Sequence, residues 1–89
     1  MASTAAAAAK LASGMGYPVV LKIVSPDILH KTEAGGVLVG VKSAAEVKAG
    51  FAKILANAKK YNRKAQILGV QVQQTLVGEL EGEDGGDGL

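Results

Sequence analysis

GYPVVLKIVSPDILHKTEAGGVLVGV, residues 16–41, sets two short apolar runs on either side of a polar segment. The first run, YPVVLKIV at 17–24, is made of β-branched and aliphatic residues and predicts a strand. The second, GVLVGV at 36–41, predicts another. The connection at 25–35 is about eleven residues long, where hairpins usually need roughly 2–5. A loop of that length on a small sheet calls for a function.

Outward from this stretch, the punctuation is clear. Residues 3–13 include five consecutive alanines and predict a helix. Gly14 and Gly16 supply stop signals, and Pro18 forbids continuation. On the other side, Ser43 and Glu46 have the spacing of a capping box. Val47, Phe51, Ile54, Leu55 and Ala58 follow as one apolar stripe, with Lys48, Lys53, Lys59 and Lys60 mostly off it. This helix should end near Tyr61 and Asn62. ILGVQVQQTL at 67–76 alternates over Val70, Gln71, Val72 and Gln73, the pattern of a strand with one apolar and one polar face. The order is α-β-β-α-β. It predicts an α+β fold: a small, mostly antiparallel three-stranded sheet covered on one face by two helices. Residues 1–76 read as this unit, and 77–89 as an acidic, Gly-rich tail or linker that is expected to be disordered.

Bulk composition narrows the function classes. Eighty-nine residues make one small domain or part of a larger one. Hydrophobic content is 48% and aromatic content 3%, so the core must be built from Ala, Val, Leu and Ile. Such a thin core favours packing against a partner. The absence of cysteine excludes disulfides and thiolate metal sites, and fits a reducing cytoplasm. No run approaches the roughly 20 apolar residues that cross a bilayer. MASTAAAAAKLAS has no basic leader and reads as a helix rather than a signal peptide.

The net charge of +2 conceals an asymmetry. Glu79, Glu81, Glu83, Asp84 and Asp87 are five negatives with no base among them, which leaves the body at +7. A basic body suits anionic ligands, although a solvated surface explains it too. Nucleic acid is disfavoured as a partner, because Tyr17, Phe51 and Tyr61 do not form a stacking pattern on a sheet.

Within the loop, Ser25, Pro26 and Asp27 have the form of a short turn with Ser25 as its cap. Gly35 and Gly36 permit positive φ and close approach of backbone to a ligand, and successive amides in such a loop can cradle phosphate. Lys22 shares its strand face with Val20 and Val24. It either snorkels to water or meets a ligand. His30 is the single histidine. It is either a surface residue or a nucleophile, and Lys31 beside it could attract a phosphate. With one histidine and no cysteine, a metal site is not expected, and neither a Walker A nor a G-x-G-x-x-G pattern occurs.

GYPVVLKIVSPDILHKTEAGGV, together with SAAEVKAGFAKILANAKKYN and ILGVQVQ, resembles the N-terminal ATP-grasp subdomain of the NDP-forming acyl-CoA synthetases, the family of ADP-forming acetyl-CoA synthetase. The resemblance covers roughly residues 10–76, and its most specific part is the S-P-D-I-L-H-K-T-x-x-G-G-V loop. It implies ATP or ADP as ligand, with Lys22 on the nucleotide phosphates and Ser25, Lys31, Gly35 and Gly36 in the phosphate-binding loop. It implies that His30 relays a phosphoryl group as a phosphohistidine. The implied reaction is acyl-CoA + ADP + phosphate ⇌ acid + CoA + ATP. The chain departs from the family after the third strand, where Gln73-Gln74-Thr75-Leu76 and a weak GELEG stand in place of the usual motifs. The family's second ATP-grasp half, which supplies carboxylates for Mg²⁺, and its CoA-binding and ligase domains have no counterpart in these residues. The chain alone is therefore not expected to catalyse the full reaction. Mg²⁺ is expected only in the complete enzyme, and the partner is expected to be another subunit or domain of it, or a second copy. The alternative is a non-catalytic interaction module that retains the fold.

Overall fold

A computed structural model of the chain describes residues 1–75. The elements are α1 (Ala5–Met15), β1 (Val19–Val24), β2 (Val37–Val41), α2 (Ala44–Tyr61) and β3 (Gly69–Gln74). The order α-β-β-α-β is the one the sequence predicts. The sheet order is β2-β1-β3, and both pairings are antiparallel. The acidic segment at 77–89 lies outside the described residues.

Each helix starts where a side chain can take an orphan amide. Thr4 Oγ1 accepts from the Ala7 N–H at 3.1 Å, and Ser43 Oγ accepts from the Glu46 N–H at 3.2 Å. Glu46 Oε1 reaches back to the Lys42 N–H at 2.8 Å, one residue before the cap. Lys59 and Lys60 sit in the last turn of α2, where cations favour the helix dipole.

The alternation in β1 decides the layering. Val19, Leu21 and Ile23 are fully buried, while Val20, Lys22 and Val24 are half-buried. α2 packs over β1 and β2, α1 packs over β3, and the two helices touch each other. Val47, Phe51, Ile54 and Ala58 meet the Val19 face from α2, and Ala8, Ala9 and Ala12 from α1. Phe51 is the one aromatic side chain in a core otherwise made of Ala, Val, Leu and Ile. Gly50 lets α2 lie close to the sheet, since a Cβ there would come within 2.8 Å of Leu38 Cδ1.

The opposite face of the sheet carries no helix among the described residues. At the chain's start, Ala2 forms a single antiparallel bridge to Val70, with N–H to O distances of 2.8 Å in both directions. No helix of the described residues is long and apolar enough to cross a membrane.

Candidate functional site

Lys22 lies on β1, the central strand, and on the face away from the helices. Its cross-strand neighbours are Val37 of β2 and Gln71 of β3. Val20, Val24 and Gln73 share that face, by the alternation of β1 and its register with β3. Lys22 is thus carried on a three-strand platform, on a face shared by valines and by Gln71 and Gln73.

The loop at 25–36 leaves β1 two residues after Lys22 and returns beside it. Ile23 N–H donates to Gly36 O at 2.8 Å, and Lys22 pairs with Val37 at the loop's end. Two residues anchor the loop in the core: Ile28 is 1% exposed and Ala34 5%. Ser25 is buried as well, and its Oγ accepts from the Asp27 N–H at 3.1 Å, which forms the expected turn. Between the two anchors, Leu29, His30, Thr32 and Glu33 are exposed and Lys31 is half-buried.

Near the start of the loop, the amides of Asp27 and Ile28 donate to Ser25 Oγ and Ser25 O at 3.1 and 3.4 Å. Those of Ala34, Gly35 and Gly36 donate to His30 O, Thr32 O and Lys31 O at 3.0, 3.0 and 2.7 Å. Those of residues 29–33 have no hydrogen-bond partner among the described residues. The amides free to meet an anion are therefore the ones around His30, ahead of the glycines.

The glycines make close approaches within the protein. Gly35 has φ +73°, and a Cβ there would stand 2.7 Å from Asn57 Nδ2. A Cβ at Gly36 would overlap Ile23 Cγ2. Two further side chains hold the loop, and neither stands out in the sequence as a site residue. Asn57 Nδ2 of α2 donates to Gly35 O at 3.0 Å. Asp27 Oδ2 accepts the Gln66 N–H at 2.7 Å, across 39 positions of chain. Asp27 is recognisable locally only as part of S-P-D, and Asn57 carries no local signal at all.

No group of three or more His, Asp or Glu side chains gathers to hold a metal ion among the described residues. What the arrangement offers chemically is a fixed cation on a sheet, a second cation at Lys31, a set of free amides and an exposed imidazole on one connection.

The family model described as ATP-grasp domain matches residues 1–83. The chain is 51% identical over 81 residues to the 4-hydroxybutyrate–CoA ligase [ADP-forming] of Nitrosopumilus maritimus, which covers 91% of the chain and 12% of that protein. It is 44% identical over 69 residues to subunit beta of acetate–CoA ligase [ADP-forming] I of Pyrococcus furiosus, covering 78% of the chain and 30% of the subunit. Among solved structures, the dinucleotide-forming acetyl-coenzyme A synthetase 1 of Ca. Korarchaeum cryptofilum, in complex with coenzyme A, Ca-AMPCP and HgCl+, superposes with a TM-score of 0.84 at 38% identity over 85% of this chain and 33% of that one. The chain thus spans a third or less of each of these proteins.

Proposed function

The chain belongs to the ATP-grasp domain family, and from that membership we propose that it is the phosphate-handling subdomain of an ADP-forming acyl-CoA synthetase. The observation that carries this reading is Lys22. It is a half-buried cation on the uncovered face of the central strand, beside the return of the loop that bears His30. Phosphoryl transfer asks for positioning and charge neutralisation more than for covalent protein chemistry. Lys22 holds phosphate oxygens from the rigid sheet, and Lys31 with the free amides of 29–33 holds them from the loop.

His30 is then the carrier. A neutral imidazole nitrogen attacks phosphorus, an N–P bond forms, and the bond from phosphorus to the donor breaks. In the second half, a terminal oxygen of ADP attacks the same phosphorus, the N–P bond breaks and ATP leaves. Over a full cycle this matches acyl-CoA + ADP + phosphate ⇌ acid + CoA + ATP, with the acyl chemistry residing in parts of the enzyme outside these residues. Among the described residues no three His, Asp or Glu side chains gather, and no step here runs through a metal ion.

The test is a titration of the isotope-labelled chain with ADP and Mg²⁺, and separately with inorganic phosphate, followed by NMR. Shifts should concentrate at Lys22 and at 25–36. Shifts scattered over the surface, or none at millimolar ADP, would overturn the reading. A stable self-associated form that ignores nucleotide would point to the non-catalytic module instead.

A further inference from the structure

His30 sits on an arch whose two feet are held by polar contacts from outside the loop. At the first foot, the Asp27 carboxylate takes the Gln66 N–H at 2.7 Å, tying the loop to the connection between α2 and β3. At the second foot, Asn57 of α2 donates to Gly35 O at 3.0 Å. Asparagine is a poor helix former, and nothing in α2 itself calls for one at this half-buried position. The loop does. Gly35 holds φ +73°, and the space where its Cβ would sit is filled by the Asn57 amide.

Hydrophobic anchoring by Ile28 and Ala34 fixes the depth of the loop but not its direction. Hydrogen bonds are directional. Both polar fastenings run to the same side of the molecule, the C-terminal part of α2 and the segment after it. Between them lie residues 29–33, with exposed side chains at Leu29, His30, Thr32 and Glu33. We propose that Asp27 and Asn57 are positioning residues for His30, fastening the two feet of the arch so that the imidazole is presented on a defined base. This rests on the role given to His30 above.

The experiment uses the full chain as wild type, Asp27→Ala, Asp27→Asn, Asn57→Ala and Asn57→Asp. Amide hydrogen exchange is measured residue by residue, and each form is then titrated with ADP and Mg²⁺. Exchange at Ala34, Gly35 and Gly36 should speed up about tenfold in Asp27→Ala, Asn57→Ala and Asn57→Asp, the scale of one lost hydrogen bond. Leu21 and Val72, paired across β1 and β3, should keep their rates. Asp27→Asn retains an acceptor oxygen and should behave as wild type. The variants that loosen the loop should also bind ADP about tenfold more weakly.

Unchanged exchange at 34–36 overturns the proposal. So does an equal acceleration throughout the sheet, because that is a loss of stability rather than of local fastening. An Asp27→Asn chain that behaves like Asp27→Ala overturns the acceptor role. A wild type that ignores ADP defeats the functional reading instead, and the exchange pattern still decides whether the two side chains hold the arch.

Discussion

Gly36 is the tightest point between the loop and the sheet. A Cβ there would overlap Ile23 Cγ2, with Lys31 O at 3.2 Å on its other side. Ile23 is fully buried and cannot swing away. Gly36→Ala should therefore destabilise the fold by about 1–3 kcal/mol through overpacking, measurable as a lower midpoint in urea. His30 is the opposite case. Its side chain is exposed, and His30→Ala should leave stability within about 0.5 kcal/mol of wild type and, on the role proposed for His30, should abolish phosphoryl labelling of a complete enzyme. Paired urea melts and radiolabel incorporation from phosphate donors check the two halves of that expectation. Lys22 and His30 stand out in the sequence as candidates because a lone polar group on an apolar strand and a lone imidazole in a long loop are local anomalies. The partners of the glycine pair were not legible. Ile23 lies 13 positions before Gly36 and Asn57 lies 22 after Gly35, and only the fold brings them together.

α2 is the element whose sequence speaks most plainly, because its cap, stripe and basic last turn agree. Ser43→Ala removes the acceptor for the Glu46 amide and should cost about 1 kcal/mol. Thermal melts should show this loss with the helix content of the folded state unchanged. α1 was less legible at its start. A run of alanines has no apolar period, so the sequence leaves the first residue open, and the Thr4 hydroxyl fixes it by capping Ala7. β3 is shorter than its alternating pattern, at Gly69–Gln74. Ile67 is spent on packing against the core edge, and Leu68 N–H bonds to Val24 O where the chain enters the sheet. The periodic signal marked the right side chains, but hydrogen-bond register set the boundaries.

At roughly 0.05–0.15 kcal/mol per residue, a chain of this size is held together by about 4–13 kcal/mol. Ile54 is fully buried between helix and sheet, and Ile54→Ala should remove about 2–5 kcal/mol of that. A large fraction of the variant should be unfolded at modest urea, read by circular dichroism. The architecture as a whole was legible because its five elements come in an order with one simple packing, and because the β1 alternation sorts the covered face from the bare one. The fastening of the loop was not, since it joins residues 22 and 39 positions apart. The short bridge between Ala2 and Val70 has a practical bearing of its own. It closes part of one margin of the sheet, while β2 leaves the other margin without a strand neighbour among the described residues. Protease nicking just past the second residue would unlatch that side and leave GVQVQQ ready to zip onto its like. Samples trimmed in this way should turn cloudy in storage at concentrations where intact material stays clear.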